Sequence, residues 1–267
     1  MKSALLSIIA AVFVGGGAAH AQTVVLVDAK GDDDGPGGYL YPTDPVFTKG
    51  SFDIDRVTVA NRSGRVEFNV EMNAPLEDPW RTGAGYSVQM IFIFIDTDNL
   101  RDSGHTEGLP GLNVRFDRAD AWDKVIVLSP QDPQRVTSEV RMKAPDLAAD
   151  IITTRSKGSG RGIRASVPLA ALGEGDPAGW GYQVVVQSNE GFPVGSDLLT
   201  RRVNEYEGQM RFGGGNDSDC DPHVMDILAG EARGDVSEIE AQHVQLAYAC
   251  KDDGSSLLRA TLKMVRR

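Results

Sequence analysis

The fold is decided by the stretch Tyr86-Ser-Val-Gln-Met-Ile-Phe-Ile-Phe-Ile95, which is rich in β-branched and aromatic residues. Its second half is apolar at every position, so both faces of a strand formed there would be buried. Residues 182–188 (YQVVVQS) have the same character. The two segments predict central strands of a sheet that is covered on both sides.

Shorter segments with alternating apolar and polar residues surround these two. They are residues 23–27, 56–60, 66–72, 124–128, 162–167, 244–249 and 257–265. Turn-forming residues at 61–64 (NRSG) and 251–254 (KDDG) predict hairpins, whereas 168–172 (PLAAL) and 224–228 (VMDIL) predict only single helical turns. About eight to eleven strands at this spacing predict an all-β fold, namely a two-sheet antiparallel β-sandwich.

The first 21 residues have the order of parts found in secretory signal peptides. Lys2 precedes an apolar run at 4–14, and Ala19-His20-Ala21 forms a small-residue cleavage signal before Gln22. The apolar run is shorter than the roughly 20 residues that cross a bilayer, and we expect no membrane span. We therefore expect export to the periplasm or the cell exterior, with one domain over residues 22–267.

The chain is acidic, with a formal net charge of −11 at pH 7. Nucleic acid and anionic membranes would be repelled by this charge, so neither is expected as a partner. Neutral glycans, cationic partners and bound divalent metal ions are compatible with it.

Cys220 and Cys250 are the two cysteines of the chain. In an exported protein such a pair favours a disulfide, because the compartment is oxidising. The alternative is two separately buried thiols. A zinc site or a covalently attached haem is not indicated, because the spacing C-x-x-C is absent.

The densest acidic cluster follows the first predicted strand. Asp28 is followed by Asp32-Asp33-Asp34-Gly35-Pro36-Gly37. Carboxylates at this density repel one another unless a cation neutralises them. Calcium takes about 6–8 oxygen ligands with flexible geometry, and glycine lets a loop wrap around it. The pattern favours a calcium site over its alternative, a solvated acidic turn.

Two other acidic runs fall short of the EF-hand pattern. Residues 96–107 carry acidic side chains at the first, third and last positions, but Arg101 stands where glycine is required. Residues 217–228 begin with three alternating aspartates and end in Leu228, where a glutamate is required. Either run could lend one carboxylate to a site formed between loops.

Sequence signatures of hydrolases are absent, because the chain contains neither Gly-x-Ser-x-Gly nor His-Glu-x-x-His. We therefore expect a binding protein and no enzyme. Aromatic rings that stack on sugars, together with neighbouring amides, are the usual means of glycan recognition, and they make Trp80, Gln89, Asn113 and Trp122 the candidate ligand-binding residues. The alternative for the tryptophans is that they fill the ends of a sandwich core.

Several segments together resemble the glucodextranase C-terminal domain family. The longest is 28–47 (DAKGDDDGPGGYLYPTDPVF), which continues to Gly50-Ser-Phe-Asp-Ile54. Further likeness lies at 78–80, 85–89, 91–96, 109–113, 180–182, 188–192, 211–215, 222–226 and 260–265. This family is also found at the ends of amylopullulanases, and it is grouped with the family 9 carbohydrate-binding modules and the wider DOMON-like β-sandwiches.

The resemblance implies a sandwich of the jelly-roll or DOMON-like kind that serves in polysaccharide binding or surface attachment without catalysis. It suggests an α-glucan as ligand. It also strengthens the calcium interpretation, and it implies metal roles for Asp28, Asp32 and Asp34 first, then for Asp33 and Asp53.

Two alternatives stay open. DOMON-like relatives include haem-b-binding electron-transfer subunits, which need axial ligands such as Met or His in a pocket. The candidates for that role are Met72, Met90, Met142, His105 and His223. The other alternative is a structural protein of the cell envelope, in which calcium only holds the fold together.

Overall fold

The computed structural model describes residues 22–217 and 220–267. The predicted signal peptide at 1–21 lies outside these residues. Fourteen strands lie within the described ranges: β1 (Thr23–Val27), β2 (Ile54–Arg62), β3 (Arg65–Met72), β4 (Gln89–Asp96), β5 (Val114–Phe116), β6 (Lys124–Leu128), β7 (Ile151–Thr153), β8 (Lys157–Ser159), β9 (Gly162–Pro168), β10 (Gly181–Ser188), β11 (Asp226–Ile227), β12 (Ala249–Cys250), β13 (Ser256–Leu258) and β14 (Ala260–Leu262). Three α-helices accompany them: α1 (Pro133–Lys143), α2 (Leu169–Leu172) and α3 (Ser237–Leu246).

Ten of the strands form two five-stranded sheets. The first sheet has the order β1-β2-β3-β9-β8 and is antiparallel throughout. The second has the order β11-β10-β4-β6-β7, with β6 and β7 as its parallel pair. Valine and isoleucine side chains from facing sides of both sheets pack into one core. The predicted all-β sandwich is confirmed.

The second sheet is buried on both faces. Alternate residues of β4 face in opposite directions, so Ile91, Ile93 and Ile95 join the core between the sheets, whereas Phe92 and Phe94 join a second hydrophobic cluster on the outer side. That second cluster includes residues of α1, the parallel pair β5 and β14, and the end of α3. This third layer explains why residues of β4 and β10 are buried at every position, as the near-continuous apolar sequence predicts.

The predicted hairpins are present. β2 and β3 pair up to Arg62 opposite Arg65, and the two residues between them, Ser63 and Gly64, have positive φ angles of 52° and 78°. Positive φ at both central positions is typical of the tight turn that matches the twist of two antiparallel strands. The second hairpin joins β12 and β13 across residues 251–255.

Helix is scarce, as predicted, but two helices, α1 and α3, lie where no helix was predicted. Helix α1 begins where the side chain of Asp132 accepts a hydrogen bond from the N–H of Gln134 at 2.8 Å, and Pro133 occupies its first turn. Helix α3 includes residues 244–246, half of the segment 244–249 that we predicted as a strand. Glu238 fixes its start, because its carboxylate accepts hydrogen bonds from the backbone N–H groups of residues 233–235.

The helical turn predicted at 224–228 is also wrong. Residues Asp226 and Ile227 form β11, which pairs with β10 at the edge of the second sheet. The turn predicted at 168–172 is present as α2. None of the helices in the two described ranges has the length and apolar character that a membrane crossing needs.

Candidate functional site

Three aspartates meet at one edge of the sandwich. Asp28 directly follows β1, Asp32 lies in the glycine-rich turn beyond it, and Asp226 is the first residue of β11. One carboxylate oxygen of each lies within 4.8 Å of the other two, and all three residues are buried. Because β1 and β11 are edge strands of different sheets, the three carboxylates lie where the edges of the two sheets meet.

Five buried carboxylate oxygens in this region accept no hydrogen bond of ordinary geometry from any described residue. They are both carboxylate oxygens of Asp28, both of Asp32, and Oδ1 of Asp53. A buried ionised carboxylate without a partner is costly, and proteins bury such groups only when they are paired, protonated or bound to a metal. These aspartates therefore need a partner. Together with Asp226, the residues Asp28, Asp32 and Asp53 are called the carboxylate cluster from here on.

The surroundings hold the cluster residues in fixed orientations. Asp53 Oδ2 accepts hydrogen bonds from the N–H of Gly31 and from Asn73 Nδ2, both at 2.9 Å, which leaves Oδ1 unbonded. Asp226 Oδ2 accepts from the N–H of Ile54 at 2.6 Å, and its Oδ1 accepts from the N–H of Ile227 at 2.8 Å. These bonds orient the two carboxylates without neutralising their charge.

The backbone of the turn is shaped by glycine and by a glutamine from α3. Gly35 has a φ of +64°, and a side chain there would meet the ring of Tyr39 and the carbonyl of Val224. Gln242 is fully buried; its Nε2 donates to the carbonyl of Asp32 and its Oε1 accepts from the N–H of Ile227 at 2.9 Å. The turn that carries Asp32 is thus fastened directly to β11.

The electrostatics of the cluster favour protonation in the absence of a cation. Burial raises the pKa of Asp32 to about 7, and that of Asp53 to about 6. The pKa values of Asp28 and Asp226 are raised well above the ordinary range, first by burial and then by the negative charges of their neighbours. Each carboxylate therefore disfavours ionisation of the others.

Oxygen-only donors in a buried, glycine-shaped turn suit a hard divalent cation such as calcium. Of the five predicted metal residues, Asp28, Asp32 and Asp53 belong to the carboxylate cluster. Asp33 is buried but accepts a hydrogen bond from the hydroxyl of Tyr41, and burial raises its pKa. The side chain of Asp34 is 43 % exposed and lies 3.4 Å from His243 Nε2, outside the cluster.

Sequence reasoning missed Asp226 as a candidate. It lies far along the chain from the acidic turn, so no local spacing links the two. A signal was present nevertheless: Asp226 is a carboxylate within the apolar run Val224-Met-Asp-Ile-Leu228. A charged residue inside a buried segment is found mainly where it is paired or binds a metal.

The two other acidic runs do not join the cluster. Asp96 and Asp98 lie within 4.8 Å of a carboxylate oxygen of Asp123, but Arg266 pairs with Asp96 at 2.5 Å and neutralises it. Asp221 is buried beneath the hydroxyl of Tyr39, which lies 3.4 Å from its Oδ2. Asp219 lies outside the described residues.

The four predicted ligand-binding residues are scattered. Trp122 is fully buried, where its ring packs against Phe94 and its Nε1 donates to the carbonyl of Glu107. Gln89 is buried and donates to the carbonyl of Ser51 at 2.9 Å. Neither residue offers surface to a glycan, because the apolar segment that contains Gln89 and the loop that contains Trp122 both pack into the interior.

Trp80 and Asn113 keep accessible surface. Trp80 is 38 % exposed, with one edge against Phe47. Asn113 lies in the wall of a cleft of about 440 Å³ between the 108–113 loop and the end of α1, and donates to Ser256 Oγ at 3.3 Å. Lys143 and Arg202 also line this cleft.

The proposed axial haem ligands lie apart. Met72 is in the core between the two sheets, Met90 is in the cluster on the outer side of the second sheet, and the side chain of Met142 is mostly exposed on α1. His105 pairs with Asp150 at 2.8 Å, and the nearly buried His223 lies 3.4 Å from Asp221. These positions do not converge on one pocket.

Cys220 and Cys250 form a disulfide in the structure, with their Cα atoms 5.5 Å apart. The bond links the segment that leads into β11 with the strand that follows α3. It therefore closes a loop of the chain that contains both Asp226 and Gln242.

The fold and its buried carboxylates define the class of protein: a β-sandwich with a cluster of buried aspartates between edge strands of its two sheets. Comparison with known families is more specific. Residues 24–263 match the family described as the C-terminal binding module, SLH-like, of glucodextranase. The chain belongs to this family, as the resemblance in its sequence predicted. A comparison with curated proteins gave no match.

Proposed function

We propose that this chain is an exported, non-catalytic module that binds polysaccharide and is stabilised by one calcium ion in the carboxylate cluster. Two findings support the proposal. The family is that of a glucodextranase binding module, which supports the binding role. The carboxylate oxygens of Asp28 and Asp32 are buried without a hydrogen-bond partner among the described residues, which supports the metal.

The observation that carries the calcium proposal is the position of these carboxylates between the edge strands of the two sheets. Calcium would be held by Asp28, Asp32 and Asp226, with Oδ1 of Asp53 as a further donor. Its charge would offset the mutual repulsion of the four carboxylates. The ion would then act as a structural link that keeps the sheets in register with each other, without taking part in any reaction.

The choice of ligand class follows from the name of the family. The likeness to a glucodextranase module suggests an α-glucan as ligand, so α-glucans are the first polymers to test. Surface attachment through a cell-wall polysaccharide is the second candidate, favoured by the SLH-like description of the family. Both are forms of glycan binding, and both fit the export that the first 21 residues predict.

A glycan panel tests the binding role. Mature protein (residues 22–267) would be applied to immobilised dextran, pullulan and amylose, and to purified cell-wall and acidic polysaccharides, with calcium present. Retention on at least one polymer, with competition by the soluble form, is expected. Failure to bind any polymer, with a native circular dichroism spectrum, would reject glycan binding. An absorption spectrum of the same sample tests the haem alternative, which requires a Soret band.

A further inference from the structure

The outer face of the first sheet carries an open groove of about 550 Å³. Thr58 of β2, Asn69 of β3 and Arg164 of β9 are direct cross-strand partners, and so are Ala60, Glu67 and Ser166 in the next row. Alternate residues of a strand face the same side, so both rows project away from the core. The short side chains of Thr58, Ala60 and Ser166 form the floor, and the longer ones form the walls.

The groove is cationic although the chain as a whole is acidic. Three arginines, Arg62, Arg155 and Arg164, line it together with one carboxylate, that of Glu67. Arg62 and Glu67 form an ion pair of 3.3 Å, which leaves Arg155 and Arg164 without an ion-pair partner among the described residues. The carboxylate of Glu71 is connected to Arg164 only through the amide of Asn69, which donates to it at 2.8 Å. A local excess of positive charge on a chain of net charge −11 marks this face as the one that attracts anions.

The two guanidinium groups have free donors. Arg155 is exposed, and within residues 22–217 and 220–267 it makes no hydrogen bond or ion pair. Arg164 is also exposed, and its Nε donates to Asn69 Oδ1 at 3.2 Å, which leaves its terminal amino groups directed to solvent or to a ligand. Arginine binds carboxylates through two parallel hydrogen bonds, with more geometric selectivity than lysine.

The groove also offers groups that suit sugar hydroxyls. Thr58 and Ser166 supply neutral hydroxyl groups beside the arginines. The hydroxyl of Ser166 accepts from Arg65 Nε at 2.9 Å and keeps its own proton to donate. The amide of Asn69, in contrast, is bonded to Glu71 and Arg164. Among the described residues that line the groove, the one aromatic residue is Phe68. Its ring is buried in the core, so it cannot stack on a sugar. Recognition here would therefore depend on hydrogen bonds and charge, and not on ring stacking.

We infer that this groove binds glycans that carry carboxylates, of the polyuronate class. The inference rests on the proposed glycan-binding function, and it assigns one face and one ligand chemistry to it. A uronate carboxylate would pair with Arg155 or Arg164, and its ring hydroxyls would bond to the neutral side chains of the groove floor.

The test compares polygalacturonate and alginate with neutral dextran and pullulan, on mature protein with calcium present. The variant Arg155→Gln/Arg164→Gln removes both free charges, whereas Arg141→Gln removes an exposed arginine from α1 as a matched control. Both arginines of the groove are exposed, so the melting temperature of the double variant should stay close to that of the parent. Melting curves verify this before binding is measured.

We expect polyuronate binding that weakens with salt and falls roughly tenfold or more in the double variant, because two charge-assisted contacts are lost. The Arg141→Gln control should bind like the parent. Binding that is unchanged in the double variant would overturn the inference, and so would binding to neutral polymers alone. In both of those cases glycan binding itself would stand. Binding to no polymer would reject the proposed function together with the inference.

Discussion

The backbone N–H of Ile54 donates a hydrogen bond of 2.6 Å to the carboxylate of Asp226, and this bond joins the first residue of β2 to the first residue of β11. The two strands belong to different sheets. A buried carboxylate is thus part of the contact between the sheets, beside Asp28 and Asp32. Any ion that binds these groups must be linked to the stability of the sandwich, because the ligands come together only when both sheets are formed.

Replacing Asp28 by asparagine changes the charge of the side chain while keeping its shape. Neither oxygen of Asp28 has a hydrogen-bond partner of ordinary geometry among the described residues, and its pKa is raised by burial. Asp28→Asn therefore removes the cost of burying this group, whether as a carboxylate or as a protonated acid, without breaking such a bond. In chelator at pH 7.5, we expect the variant to melt at a higher temperature than the parent. With calcium added, we expect it to gain less stability than the parent gains. Differential scanning calorimetry with and without calcium measures both effects.

The matched control is Asp34→Asn, because Asp34 belongs to the same acidic run but lies outside the carboxylate cluster with a 43 % exposed side chain. Its calcium response should equal that of the parent. Equal losses of calcium response in the two variants would show that only the total charge of the loop matters, and would contradict the assignment of the cluster.

The chelated protein should lose stability as the pH rises from about 4 to 7. The folded-state pKa of Asp32 is about 7 and that of Asp53 about 6, both above the ordinary value near 3.8. The folded chain therefore binds more protons than the unfolded chain across this window, and stability falls with increasing pH. Melting temperatures in chelator between pH 4.5 and 7.5 measure the slope. Calcium should reduce the slope, and a slope of the opposite sign in chelator would contradict the burial of these groups.

Asp78 should have the opposite dependence on pH. Its carboxylate accepts hydrogen bonds from the side chain of Ser87 and from Thr82 and Gly83, and these bonds lower its pKa to about 2. Its contribution to stability is complete above about pH 4 and is lost as the pH falls towards 2. Because Asp78 is only partly buried, Asp78→Asn should cost at most about 1 kcal/mol. Urea unfolding at pH 5 and pH 3 should show that the cost shrinks at the lower pH, whereas an equal cost at both would contradict it.

Removal of the disulfide should destabilise the region that carries Asp226. The bond joins residues 30 apart in sequence, and loss of such a cross-link typically costs about 2–4 kcal/mol. The double variant Cys220→Ser/Cys250→Ser leaves no unpaired thiol. Urea unfolding of the variant, compared with reduced and oxidised parent protein, measures the cost. The reduced parent should match the variant, and a variant as stable as the oxidised parent would contradict the prediction.

Much of the sandwich could be predicted from local pattern. β4 and β10 are marked by near-continuous apolar runs, and the hairpin of β2 and β3 by its turn residues. Helix α1 was missed although Asp132 and Pro133 form a recognisable helix start. Helix α3 was missed because its end at 244–246 alternates in polarity like a strand. Gln242 fastens the helix to Asp32 across 210 residues, and no local pattern indicates that contact.

The carboxylate cluster was only partly predictable, for a similar reason. Asp28 and Asp32 share a run whose charge density and glycines point to a cation. Asp226 approaches them only through the pairing of the sheets, as its bond to Ile54 across 172 residues shows. The burial of Trp122 and Gln89 could not be predicted from local pattern either. The ring of Trp122 packs against Phe94 in the cluster on the outer side of the second sheet, whereas Gln89 donates to the carbonyl of Ser51, 38 residues earlier in the chain.

Calcium titration of chelator-stripped protein, prepared as residues 22–267, by isothermal calorimetry tests the central claim most directly. We predict one strong site per chain, with a rise in melting temperature as calcium increases. At a hundredfold excess over Kd the stabilisation should reach about 2.7 kcal/mol, or roughly 5–10 °C for a chain of this size. A folded protein that takes up no calcium at millimolar concentration, and melts at the same temperature with and without it, would contradict the account.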